Sequence, residues 1–204
     1  MERGTGYLVV KLCSAEIHER LSHAEHYMSD IERPTRRQLK DSLTADFEVF
    51  EGFSGNHKHG GERVYYDLVA RPRQHLVDQG FAGGHFIIEV KLFNSTDKAK
   101  HDVKACDMLW QCVAYSFSEI ELPDGKLERP LFVLYFLGGT GFNPLHLNEI
   151  GTLHHFVQRG GVGQLIFEPR LGWSMRFGGT RYFSKAGGKG PHNVGVKRQT
   201  GSSR

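Results

Sequence analysis

The sequence predicts an α/β fold, a mixed β-sheet flanked by helices, and three observations predict it. His85–Phe93 carries Phe86-Ile87-Ile88 and Val90, the composition of a central strand covered on both faces. A long helical stretch, Asp97–Ser118, follows, and then a second apolar run, Leu131–Leu137. Strand, helix and strand in that order read as a right-handed crossover between parallel strands. Earlier, two strand-like runs flank a glycine-rich stretch, Ser54–Glu62, and read as an antiparallel pair.

The remaining elements fall around this centre. Cys13–Ser29 reads as a helix, with Ser14 as its cap and Ile17, Leu21, Ala24 and Met28 as its apolar stripe. Pro34 sits near the start of a short helix, Thr35–Leu43. The first strand is Ala45–Phe53, with Phe47 and Val49 on alternating positions, and the next is Arg63–Val69, which carries Asp67. Arg71–Gly84 reads as a connector containing Pro72, Gly80, Gly83 and Gly84. The long helix has apolar positions at Val103, Leu109, Val113 and Phe117, and Asp97 lies where a helix start favours acids. Pro123-Asp124-Gly125 is a turn. Asn143–Val157 reads as a helix weakened by Gly151. Gln164–Phe167 and Trp173–Phe177 complete the sheet, and Arg181–Phe183 extends it.

Composition bounds the function. With 204 residues, the chain is expected to form one domain over 1–184, followed by a basic, glycine-rich flexible tail over 185–204. Charged residues at 24% and hydrophobic ones at 39% fit a folded soluble protein. No apolar run approaches bilayer length, so no membrane partner is expected. Tyr7–Val10 is followed at once by Lys11, which does not read as a secretory signal, and a cytoplasmic location is expected. Cys13, Cys106 and Cys112 form no zinc spacing, and their odd number argues against a disulfide framework. His57, His59, His154 and His155 show no ligand pattern. A net charge of +3 is compatible with a polyanionic partner without demanding one. Its distribution is uneven: Arg33, Arg36, Arg37 and Lys40 cluster early, and Lys185, Lys189, Lys197, Arg198 and Arg204 populate the tail.

The chemistry gathers at three residues. Glu89 and Lys91 interrupt an apolar strand on a single face, because side chains two apart point the same way. Asp67 lies on a preceding strand that can pair beside it. An exposed Glu–Lys pair would be ordinary, but charge in a central strand is costly unless paired or metal-bound. Two carboxylates offer hard oxygen ligands for Mg2+ or Mn2+, and the backbone carbonyl of Val90, between the two side chains, can add another. A bound metal of that kind can activate water and offset phosphate charge, while a lysine orients the water or stabilises the developing anion.

This arrangement resembles the PD-(D/E)xK, or restriction-endonuclease-like, nuclease superfamily. Asp67 matches the first acid, Glu89 the second and Lys91 the lysine; the proline that often precedes the first acid is replaced by Tyr66. The resemblance spans roughly Cys13 to Phe177 and implies a restriction-endonuclease-like core with a mixed β-sheet flanked by helices. It implies a metal-dependent nuclease with DNA as substrate and partner, and leaves room for a homo-oligomer or larger nucleoprotein assembly. Gln111 and Tyr115, four apart on one helix face, resemble the Gln-x-x-x-Tyr element of the RecB and Cas4-like branch, which supports the site or touches nucleic acid. Their plain reading is a helical pair with Tyr115 half-buried beside Trp110. Lys98, Lys100 and Lys104 lie nearer the helix start, where they could meet phosphate or solvent. The superfamily often adds a metal-binding glutamate from the N-terminal helix. Glu16 and Glu19 are the candidates, Glu19 preferred; Glu48 and Glu51 are alternatives from the first strand. The competing expectation is a nucleic-acid-binding or assembly protein that keeps the fold without cutting. Gly138–Gly141 lacks the Lys-Ser/Thr ending of a phosphate-binding loop.

Overall fold

The computed structural model describes residues 32–58, 60–92, 98–138, 161–168 and 170–192. The expected helices at Cys13–Ser29 and Asn143–Val157, with Glu16, Glu19, His154 and His155, lie outside the described residues, as do Asp97, His59 and residues 193–204. Residues 35–204 cluster as one compact unit.

Helix α1, Glu32–Leu43, takes Pro34 in its first turn, where a missing N–H costs nothing. Arg36, Leu39 and Leu43 recur at helical spacing and form its buried face. Thr44 ends the helix by donating from Oγ1 to the Lys40 carbonyl at 2.7 Å. Strand β1, Phe47–Phe50, joins the main sheet. The next two strands do not. β2, Ser54–His57, and β3, Arg63–Tyr65, pair antiparallel in a second sheet. β4, Leu68–Pro72, returns to the main sheet, followed by the five-residue helix α2, Gln74–Asp78. Then come β5, Phe86–Leu92, and the long helix α3, Lys98–Ser116. β6, Ser118–Glu121, and β7, Leu127–Glu128, belong to the second sheet. β8, Val133–Gly138, β9, Val162–Glu168, β10, Gly172–Phe177, β11, Thr180–Ser184, and β12, Gly188–Lys189, complete the main one.

The main sheet has eight strands in the order β1-β4-β5-β8-β9-β10-β11-β12. β5, β8 and β9 run parallel, and all other neighbours are antiparallel. The second sheet has the order β3-β2-β6-β7. The fold is therefore mixed α/β, with parallel β5 and β8 joined through α3 as the crossover expectation required. Several boundaries differ from expectation. The glycine-rich loop contains β2, because Gly55 lets Tyr66 and the Glu119 carbonyl pack where a Cβ would sit. The expected strand Arg63–Val69 is divided between the two sheets. The connector after Arg71 holds α2. Pairing also continues past Ser184 to Lys189, so regular structure reaches into the segment expected as a tail. Among the described residues no helix is long and apolar enough to cross a membrane.

The pleat of β5 divides the core. Phe86, Ile88 and Val90 face one side with Leu39 and Leu43 of α1. Ile87 faces the other, with Ala105, Met108, Leu109, Cys112 and Tyr115 of α3. This corrects the expected helix face. Val103 and Phe117 are exposed, because the stripe running from Ala105 to Tyr115 is the one turned to the sheet. Trp110 is also exposed, and Tyr115 is buried on a different face rather than half-buried beside it.

The sheet curls strongly. Five strand spacings separate β1 from β10, about 24 Å if flat. Yet the Phe47 and Trp173 rings lie 4.9 Å apart. A bulge at Met175/Arg176 favours the bend by increasing local twist. Asp46 fastens the approach: its carboxylate accepts from Trp173 Nε1 at 2.7 Å and lies 3.2 Å from both Lys185 Nζ and His75 Nε2. Burial alone would raise the Asp46 pKa, but its bonds to Trp173, Lys185 and His75 outweigh that and hold it below the ordinary value. Asp46→Ala is expected to cost about 2 kcal/mol by leaving the buried indole N–H without an acceptor. Asp46→Asn, which keeps an acceptor, is expected to cost less. Urea unfolding of both variants checks the order.

Candidate metal centre

The strand switch builds the site. After Tyr65 the chain leaves the second sheet, and after Asp67 it enters the main one. β4 pairs with β5 only as far as Leu68↔Ile88. Two residues further along β5, Val90 has no strand partner on that side, and Asp67 supplies the missing acceptor. Val90 N–H donates to Asp67 Oδ2 at 2.8 Å. Within a strand a residue's N–H and C=O point the same way, so the Val90 carbonyl faces the same gap.

Glu89 and Lys91 share the α3 face of β5. Glu89 is only 1% exposed, and its Oε1 lies 2.6 Å from Lys91 Nζ. Burial pushes the Glu89 pKa up to about 7; Lys91 opposes the rise and neighbouring Asp67 adds to it, close enough to share a proton. The structure thus brings Asp67, Glu89 and Lys91 together where β4 departs. Asp67 lies at the bend before β4 rather than within the expected strand, because the sheets diverge there.

Tyr115 and Gln111 lie on α3. Tyr115 Oη donates to the Tyr65 carbonyl at 2.9 Å, and its ring meets Tyr66 edge-on with centroids 5.1 Å apart. Tyr66, in the place of the usual proline, donates from its hydroxyl to Ser118 Oγ at 2.8 Å. The helix thereby fixes the segment that presents Asp67. Burial pushes the Cys112 and Tyr115 pKa values well up, and the Glu89 charge adds to both. Gln111 is half-buried one turn before Tyr115. Lys104 donates to the Leu92 carbonyl at 2.7 Å, tying α3 to the end of β5.

Arg36, one of the early basic cluster in sequence, is also a site residue. Its Nη1 donates to Asp67 Oδ1 at 3.1 Å. Its position three before Leu39, on the buried stripe of α1, was the available signal. Glu48 is exposed, and Glu51 pairs with Lys40 at 3.1 Å, so neither joins the centre. Glu19 lies outside the described residues.

The donor set suits a hard divalent ion. Two carboxylates converge, Glu89 Oε1 is buried against Lys91 Nζ, and a backbone carbonyl faces the same gap. Among the described residues, however, no group of three or more His, Cys, Asp or Glu side chains gathers at one point. Comparison with family models, curated proteins and solved structures returns no match.

Glu89 gives a pH prediction for the metal-free protein. A folded-state pKa raised from 4.5 to about 7 means that the fold favours the protonated form. Its stabilising contribution is full below about pH 4.5 and is lost as pH rises through about 7. In EDTA, the melting temperature of wild type is expected to fall between pH 5 and pH 8 more than that of Glu89→Gln. Equal pH profiles would remove the assignment.

Proposed function

We propose that this chain is a metal-dependent nuclease that hydrolyses phosphodiester bonds in DNA, built on a restriction-endonuclease-like core and acting in the cytoplasm. The observation that carries the reading is the meeting of Asp67 and Glu89, from separate strands, with Lys91 in an apolar sheet. Charge buried at this depth is costly; Lys91 and Arg36 offset the two carboxylates here, and a divalent ion bound between them could do the same. The order of elements supports the core assignment: an acid at the entry to one strand, Glu-x-Lys on its neighbour, a helix, the short strands β6 and β7 of the second sheet, then a parallel strand. DNA is favoured over RNA by the resemblance.

Asp67 and Glu89 would hold Mg2+ or Mn2+, joined by the Val90 carbonyl. Such an ion supplies a Lewis acid and lowers the pKa of bound water. Lys91 lies where its ammonium can hold the attacking water or offset charge on the phosphate. Tyr115 acts through the Tyr65 carbonyl as a positioning residue for Asp67. Gln111, one turn away, faces substrate in this reading. A second reading, a nucleic-acid-binding protein that does not cut, is favoured by the absence of a third acidic ligand among the described residues.

Labelled linear, nicked, circular and single-stranded DNA, and RNA, separate the two when incubated with Mg2+, Mn2+ or EDTA. Asp67→Ala and Lys91→Ala, once shown to fold, are expected to lose at least about 100-fold in rate. Cleavage that survives EDTA, or persists in both variants, would overturn the metal mechanism. Nucleic-acid binding without cleavage would favour the second reading. Tyr115→Phe, which keeps the ring but not the hydrogen bond, is expected to slow cleavage about tenfold or less while costing about 1 kcal/mol in stability. An unchanged rate alongside that loss would restrict Tyr115 to the fold.

A further inference from the structure

Arg36 differs from the other cations of α1. Arg33 and Arg37 are exposed and Lys40 is partly so, whereas Arg36 is 8% exposed on the stripe shared with Leu39 and Leu43. Arginine is seldom buried without a specific charged partner. Here Asp67 Oδ1 lies 3.1 Å from its Nη1. The other Asp67 oxygen is committed to Val90 N–H at 2.8 Å.

That geometry sets up a competition. A divalent ion coordinated by Asp67 would take Oδ1, the oxygen that Arg36 holds. The charges point the same way. Among the described residues the centre holds two carboxylates, Asp67 and Glu89, and two cations, Arg36 and Lys91. With all four ionised, the charges of these described groups sum to zero. An arriving divalent ion would leave it doubly positive, and a fixed guanidinium beside it repels it at short range. A phosphate restores the balance, and the planar fork of an arginine suits phosphate oxygens as well as carboxylate.

We propose that Arg36 is the resident counter-ion of this centre: a divalent ion displaces it from Asp67 Oδ1, and the released guanidinium then pairs with the substrate phosphate. The proposal rests on the metal-dependent reading above and adds a coupling to it. Metal alone binds weakly, and metal and phosphate bind together more tightly than either does alone. Leu39 and Leu43 keep α1 packed on the sheet, so the side chain moves and the helix does not.

The test is Mn2+ affinity, followed by electron paramagnetic resonance on the full chain at neutral pH, with and without the mononucleotide dTMP. Arg36→Gln removes the charge, Arg36→Lys retains it, and circular dichroism confirms that each folds. Without dTMP, Arg36→Gln is expected to bind Mn2+ about tenfold more tightly than wild type, and Arg36→Lys within about threefold of it. Adding dTMP is expected to tighten Mn2+ binding in wild type and to do so less in Arg36→Gln. A purely structural arginine predicts the reverse: both variants would bind Mn2+ more weakly, and that result overturns the proposal. Equal affinity in wild type and Arg36→Gln, with wild type still binding and cutting, also overturns it while leaving the nuclease reading intact. If wild type and both variants bind no Mn2+ and wild type cuts nothing, the nuclease reading falls and this proposal falls with it.

Discussion

The bond from Val90 N–H to Asp67 Oδ2 is the constraint around which this molecule is organised. Two sheets share one chain between Tyr65 and Leu68, and β5 outlasts its antiparallel partner. A buried strand edge left there would carry an unsatisfied amide. Filling the gap with a carboxylate satisfies the backbone and delivers an acid to the side of Glu89. Lys91 and Arg36 then balance the pair. Tyr66 and Tyr115 hold the switching segment from the α3 side. The same residues that let the chain change sheets therefore assemble the charged centre.

Much of this was legible in the sequence because it is periodic. β5 announced itself by an apolar run, and Glu89 and Lys91 stood out because they break it on one face. The crossover to β8 followed from the length of α3. The parts that were not legible have a common cause: competing apolar patterns or partners distant in sequence. α3 is apolar on two sides, so Val103, Trp110 and Phe117 compete with the Ala105–Tyr115 stripe, and only the sheet decides between them. β2 is Ser-Gly-Asn-His, which reads as a turn, and becomes a strand because β3 and β6 pair with its two edges. Arg36 looked like one of several surface cations, since its partner lies 31 residues away.

The other end of the sheet depends on a second buried carboxylate used for a different purpose. Asp46 meets Trp173, 127 residues distant, and draws β10 toward β1. Phe81 and Phe132 pack between these strands and Tyr182, filling the curl with rings. Long-range closure of this sort forms late, because chain entropy must be overcome before such contacts stabilise anything. The charged centre draws on β5, the bend before β4 and α1, and none of its four side chains takes part in these ring contacts.

The two tryptophans occupy opposite situations. Trp173 is 1% exposed within the aromatic seam, whereas Trp110 is 51% exposed on α3, one residue before Gln111. Their emission therefore reports on different parts of the molecule. An aqueous quencher reaches the Trp110 indole in the folded state and leaves Trp173 bright. Ligand arriving along α3 changes the quenchable component, while opening of the curled sheet red-shifts the protected one. The chain thus carries two optical probes at native positions, one on the outer face of α3 and one inside the closure.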